Sequence, residues 1–240
     1  MPGILPDTPD GTGPKPAEPG TGGPAGPEGC PLCHAPGGTF ARVDGLDYAR
    51  CTRCQLTYLS YRQRPAPARE REEYLLHRNH PDDPGYRKFL ERLATPLRSR
   101  LRPGSQVLDF GCGPGPALAA MLRDSGHEVA VYDPWFAPYP AVLARNYDAV
   151  TCTEVVEHLH DPAAVLTRLR TLVRAGGLLA VMTSLLEDGI DFARWHYRRD
   201  CTHVAFWRMQ TFDWLARSWG WRAEPVVPGV VFLLAPPATA

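Results

Sequence analysis

Residues 107–115 read Val107-Leu108-Asp109-Phe110-Gly111-Cys112-Gly113-Pro114-Gly115, and this stretch decides the fold. Apolar residues run into a carboxylate, and glycine then occupies every second position ahead of the helix-forming segment Ala117–Ser125. The pattern predicts a buried strand that ends in a tight loop. Glycine tolerates a left-handed backbone and carries no Cβ, so a ligand can approach the main chain. The helix that follows offers unpaired amides and the positive end of its dipole. Such a strand, loop and helix bind a nucleotide or a nucleotide-like cofactor.

The dinucleotide fingerprint G-x-G-x-x-G is not met, because Pro116, Ala117 and Leu118 follow Gly115. The next element is more discriminating. His127–Asp133 reads as a second short strand ending in a carboxylate, about twenty residues past the loop, where a carboxylate can accept both hydroxyls of a ribose. The competing reading is an ordinary strand–helix turn with Asp133 in solvent.

The run LDFGCGPG followed by YDP resembles the cofactor motifs of class I S-adenosylmethionine-dependent methyltransferases. The likeness extends from about Arg102 to the end of the chain. It implies that Gly111, Gly113 and Gly115, with Cys112 and Pro114 between them, cradle the methionine part of the cofactor. It also implies that Asp109 orients the charged amino end, that Asp133 holds the ribose and that Glu154 lies beside the cofactor. The implied reaction is in-line displacement at the sulfonium methyl, the protein aligning the partners and removing a proton from an oxygen acceptor.

Strands and helices alternate from Ser105 onward. Strands are expected at Val107–Phe110, Val129–Asp133, Tyr147–Cys152 and Leu178–Thr183, and helices at Ala117–Ser125, Ala163–Arg174 and Thr211–Trp219. Ala175-Gly176-Gly177 reads as a helix stop, and Val226–Leu234 around Pro228-Gly229 as a terminal hairpin with an antiparallel last strand. The fold class is therefore α/β, a doubly wound Rossmann-like sheet. Fourteen residues, 134–147 and rich in proline, separate Asp133 from Asp148. That gap is too short for the helix, strand and helix of the full class I pattern, so the sheet is expected to be shortened between its second and fourth strands.

Two C-x2-C pairs, Cys30/Cys33 and Cys51/Cys54, flank seventeen residues containing two alternating runs joined by Asp44-Gly45. The spacing matches a four-thiolate zinc site and the dipeptide favours a hairpin, which together read as a zinc ribbon. Disulfides are the alternative, although nothing in the sequence signals an oxidising compartment. With four protein ligands the zinc is structural, and the ribbon serves as structure or as a substrate-site lid. Arg42, Arg50 and Arg53 make no strong basic patch for nucleic acid. Cys112, Cys152 and Cys201 read as packing residues.

The domain reading is a disordered Pro/Gly-rich tail over 1–28, a ribbon over 29–61, a helical linker or lid over 62–101 and a methyltransferase domain over 102–240. In the linker, Leu90, Leu93 and Leu97 fall at helical spacing and are expected to pack on the sheet domain. The 26 basic and 26 acidic residues cancel, so no global field draws nucleic acid or anionic membrane. No apolar run approaches about twenty residues, and no secretory leader is visible, so a cytoplasmic protein is expected.

The segment Thr151–Pro162 follows a strand at the carboxyl edge of the sheet. A helical turn there places Glu154, Glu157 and His158 on one face, where they can act as a base or hold a divalent cation. It resembles the E-x-x-E-H motif of ubiquinone-pathway O-methyltransferases and of RNA 3′-terminal 2′-O-methyltransferases, in which the motif is implicated in metal binding. In other class I enzymes the same motif packs the helix start. His203, oriented by Asp200 or a carbonyl, is the candidate general base, and the alternative is a histidine satisfying a buried backbone group. The catalytic candidates are thus His203, His158 and Glu157, with His160 expected on the surface. Trp195, Tyr197 and Trp207 line a pocket or belong to the core, and His77, Asn79 and Tyr86 are candidates to close over the cofactor.

Ribbon followed by methyltransferase is also an order similar to sugar C-methyltransferases of antibiotic pathways and to certain ribosomal-RNA guanine methyltransferases. A small-molecule acceptor is the first expectation. An RNA methyltransferase docking through the ribbon and a non-catalytic cofactor-binding scaffold are the alternatives.

Overall fold

The computed structural model describes residues 29–76 and 80–238. The tail expected to be disordered, together with His77 and Asn79, lies outside the described residues.

The ribbon opens with β1 (Gly37–Val43) and β2 (Leu46–Cys51), an antiparallel hairpin turning at Asp44 and Gly45. Both turn residues have positive φ, 53° and 79°, the backbone that a two-residue primed turn demands. β3 (Thr57–Leu59) pairs with β2. Two helices follow, α1 (Pro67–Leu76) and α2 (Pro84–Arg100). Asp83 caps α2 by accepting from Tyr86 N at 2.6 Å, and Pro84 starts it where no amide partner is needed. Leu90, Leu93, Ala94 and Leu97 form its buried face against Val107, Leu118, Leu122 and Phe232. Each fully buried leucine there stabilises the fold by about 1.5–3 kcal/mol.

The main sheet is built from β4 (Gln106–Phe110), β5 (Glu128–Tyr132), β6 (Tyr147–Thr153), β7 (Val173–Met182), β9 (Arg222–Val227) and β10 (Val230–Leu234). Their order is β5-β4-β6-β7-β10-β9, with parallel pairing from β5 to β7 and antiparallel pairing at β10 and β9. The helices α3 (Ala117–Asp124), α4 (Pro162–Leu172) and α5 (Met209–Trp219) connect them. Only a 3-10 turn, Pro140–Ala144, lies between β5 and β6, so β5 is the edge and the expected shortening is present.

One boundary differs from expectation. Helix α4 ends at Leu172, and Gly176-Gly177 belongs to β7 instead of capping the helix. Tyr147 opposes Val173 and Ala149 opposes Leu178, so residues 174–177 bulge out of the ladder. A Cβ on Gly177 would stand 2.6 Å from Asp148 O, which explains the glycine. A glycine pair after a helical run looks the same at a helix end and at a bulge, and only the pairing separates the two.

The ribbon does not stand apart. β8 (Ala205–Phe206) comes from the loop after β7 and pairs with β3, Thr57 opposite Phe206 and Tyr58 opposite Ala205. Leu56 and Tyr58 share one buried cluster with Trp207, Phe212 and Val231. Among the described residues no helix is long and apolar enough to cross a membrane.

Candidate active site

The glycine loop leaves β4 in a left-handed backbone, with φ of 75° at Gly111 and 63° at Gly113. A Cβ on Gly111 would come within 2.3 Å of Val155 Cγ2, whereas one on Gly113 would meet nothing within 4 Å and point into open space. Gly111 is thus required by packing, and Gly113 is favoured by its positive φ alone. Gly113 N donates to Asp133 Oδ2 at 3.1 Å, tying the loop to the end of β5. The other oxygen of Asp133 accepts from Trp135 N and Phe136 N. Cys112 and Gly115 are buried and Pro114 is exposed. Asp109 is buried at the end of β4, and burial pushes its carboxyl up to about 6 although Thr151 Oγ1 donates to it at 2.8 Å.

Past β6 the chain turns sharply. Glu154 is left-handed at φ 51°, a strain on the order of 1 kcal/mol, held by its amide bond to Met182 O. Only a three-residue 3-10 turn, Val156–His158, follows. The expected helical face carrying Glu154, Glu157 and His158 is therefore absent, because positive φ at Glu154 breaks the helical path. Tertiary contacts assemble the site instead. Tyr197 donates its hydroxyl to Glu157 Oε1 at 2.5 Å, Glu154 Oε2 lies 3.2 Å from the same hydroxyl, and Thr183 Oγ1 bonds both Glu157 Oε2 and Tyr197. Burial raises both carboxyls, Glu154 to about 8, with repulsion from Glu157 adding to it, and Glu157 to about 7.

Two histidines complete the cluster. His158 Nδ1 lies 3.2 Å from Thr202 O, and His203 Nδ1 lies 2.6 Å from Tyr197 O. A carbonyl only accepts, so both rings carry their proton on Nδ1 and keep Nε2 as the basic or ligating nitrogen. Their centroids are 4.6 Å apart. Asp200 Oδ2 stands 3.8 Å from His203 Nε2. Despite burial, bonds from Thr202 N and Oγ1 hold the Asp200 carboxyl below its usual range.

Ligand atoms of Glu157, His158 and His203 lie within 4.8 Å of one another. The cation-capable set therefore includes His203 and not Glu154, a correction to the expected trio. One carboxylate and two imidazoles, each with its second nitrogen on a carbonyl, suit a transition metal or zinc better than magnesium or calcium.

Helix α1 lies against this cluster. Tyr74 meets the His158 ring edge-on at 5.4 Å, and Glu70 bonds His160 Nε2 at 2.7 Å. His160 keeps 37% of its side chain exposed, in keeping with a surface position, while pairing with Glu70. In α2, burial first, then the charges of Asp109, Glu154 and Cys112, push the Tyr86 phenol up to about 12. Trp195 and Trp207 are buried in the core, with Trp207 donating to Val156 O. Cys201 is exposed, not packed. Tyr74 and Thr183 were not legible as site residues, since neither belongs to a spaced motif.

All four ribbon sulfurs lie within 4.8 Å of one another, and the cysteines are free. Amides of Leu32, Arg53 and Cys54 point at Cys30 and Cys51 Sγ. Cys54 donating to Cys30 pulls the Cys30 thiol down to about 5 and pushes its own up. Four converging sulfurs with inward amides are the donor set of a tetrahedral zinc.

A family model described as a methyltransferase domain matches residues 78–226. A ubiquinone biosynthesis O-methyltransferase of Aeromonas salmonicida (strain A449) is 31% identical, over 33% of this chain and 43% of its own. Another, from Serratia proteamaculans (strain 568), is 36% identical over 33% and 34%. The chain thus spans less than half the length of these curated relatives. Among solved structures, the 1,6-didemethyltoxoflavin-N1-methyltransferase of Burkholderia thailandensis, with 1,6-didemethyltoxoflavin and S-adenosylhomocysteine bound, matches at TM-score 0.50 and 16% identity. That match covers 82% of this chain and 99% of the other, a likeness of fold.

Proposed function

This chain belongs to the class I S-adenosylmethionine-dependent methyltransferases, and from that premise we propose that it methylates a small-molecule acceptor by direct displacement. Bound S-adenosylmethionine supplies an electrophilic methyl. The main chain from Gly111 to Gly115 would hold its methionine part, Asp109 would orient the amino end through the loop and Asp133 would hold the ribose, with Glu154 alongside. His203 accepts the acceptor's proton at Nε2, with the His158 and Glu157 ligand atoms within 4.8 Å of its own. The observation that carries this reading is the His158–His203 pair, each ring fixed in one tautomer by a carbonyl, with Tyr74 edge-on to the His158 ring. The small-molecule names of the relatives favour a small acceptor over RNA. Zinc on Cys30, Cys33, Cys51 and Cys54 has a structural role.

A second reading rests on the Glu157, His158 and His203 set, which can hold a divalent cation that lowers the acceptor hydroxyl's pKa. Titration calorimetry of zinc-replete protein with S-adenosylhomocysteine tests the first claim, and absence of binding overturns it. Activity that disappears on chelation without loss of ribbon zinc, and returns with manganese, selects the cation reading. Unchanged activity selects His203 as a metal-free base. RNA binding at low salt would move the reading to the RNA alternative.

A further inference from the structure

β8 joins the ribbon sheet two residues after His203, and Leu59 N donates to Val204 O at 2.9 Å. The ribbon is therefore bonded directly to the loop that bears the candidate base. A cavity of about 210 Å³ lies in this seam. Leu46, Tyr48 and Leu59 form its ribbon wall, and Arg199, Asp200 and His203 its other side. The volume is below the roughly 300 Å³ at which drug-sized pockets begin, so it suits one ring or its aliphatic equivalent.

The charges around the cavity are unevenly committed. Arg198 is spent on Asp44 at 2.7 Å, and Asp200 Oδ1 is taken by Thr202. Arg199 is exposed at the rim and has no hydrogen-bond or ion-pair partner among the described residues. An apolar wall, a histidine opposite it and an uncommitted guanidinium at the mouth describe one kind of ligand. We propose that the seam is the acceptor subsite and takes a small hydroxylated organic acid. Its ring lies on Leu46, Tyr48 and Leu59, its anionic group at Arg199 and its hydroxyl towards His203. The assignment rests on the methyltransferase reading, and it makes the ribbon a determinant of acceptor choice. Arginine suits the anionic end because its planar fork meets a carboxylate in two bonds.

Salicylate and its neutral isostere salicylamide are the probes, titrated calorimetrically into the full, zinc-replete chain saturated with S-adenosylhomocysteine. Salicylate is expected to bind one to one and roughly tenfold more tightly than salicylamide. Arg199→Gln, a surface change, removes that preference. Leu46→Trp, which fills the cavity from the ribbon side, weakens both probes and leaves S-adenosylhomocysteine affinity unchanged. Equal affinity for the two probes, a preference that survives in Arg199→Gln, or no binding of either overturns the proposal. S-adenosylhomocysteine titrated alone separates the failures: if it binds and salicylate does not, only the seam assignment falls, whereas if it does not bind, the methyltransferase reading falls.

Discussion

Tyr197 holds His203 and Glu157 with opposite ends of one residue. Its carbonyl accepts from His203 Nδ1 at 2.6 Å, and its hydroxyl donates to Glu157 at 2.5 Å. The 3-10 turn His196–Arg199 sets both ends at once, so the tautomer of the imidazole and the protonation of the carboxylate depend on the same short segment. The first contact spans six residues, whereas Glu157 lies forty residues away.

Tyr197→Phe keeps the ring and the carbonyl and deletes the shared hydroxyl. Glu157 then loses its shortest donor in a buried site, a loss of about 1–3 kcal/mol in stability. The expected outcome is a lowered unfolding midpoint in urea, with kcat reduced and the KM for S-adenosylmethionine little changed. An unchanged kcat would show that the hydroxyl has no positioning role.

The two loop glycines should fail differently. Gly111→Ala drives a methyl into Val155 and should mainly lower thermal stability. Gly113→Ala has room for its methyl, and costs about 1 kcal/mol for the left-handed backbone. Its Cβ enters the cleft, so its main effect should be on S-adenosylhomocysteine affinity, about tenfold weaker by calorimetry. Equal cofactor affinity in Gly113→Ala and the parent protein would remove the loop from the binding site.

Asp109 makes stability depend on pH with a definite sign. Its folded carboxyl titrates near 6 against an ordinary value of 3.8, so the native state keeps the proton to higher pH than the unfolded chain. No cost is present below about pH 4, where both states are protonated. Stability falls as pH rises through the window from about 4 to 6, and the full cost, on the order of 3 kcal/mol, persists above it. Asp109→Asn, whose amide oxygen still accepts from Thr151, should therefore gain stability relative to the parent at pH 7.5 and not at pH 4. Urea unfolding at the two pH values measures the difference, and a pH-independent difference would refute the assignment.

Zinc should matter beyond the ribbon. Elemental analysis is expected to find about one zinc per chain, lost in Cys51→Ser. Because β3 pairs with β8, the loop after His203 loosens with the ribbon. Cys51→Ser should reduce kcat and the unfolding midpoint together, with S-adenosylhomocysteine affinity reduced least. Full activity in zinc-free protein would mean that the ribbon does not support the catalytic loop.

The fold was legible where the signals are short-range. Glycine spacing after β4, alternating apolar periods and the proline-rich gap before β6 each report on backbone geometry within a few residues. The same locality misled at Gly176-Gly177, where a bulge and a helix end use one residue type, and at Glu154, where a carboxylate adopts a backbone usually left to glycine. The cysteine pairs could be read because thiolate spacing encodes its own ligand geometry.

What the sequence alone determined, then, is the framework: a parallel sheet with a glycine loop and an acidic strand end in fixed spacing, shortened at one edge, behind a four-cysteine module. The tertiary structure decided how the histidines and carboxylates at the carboxyl edge come together. Two-residue β8, the Tyr197 hydroxyl and the Thr202 carbonyl carry no periodic signal, and their partners stand tens of residues to about 150 away along the chain. Burial and strand pairing at the carboxyl edge, which depend on the whole chain at once, are what place His203 between the ribbon and the buried carboxylates.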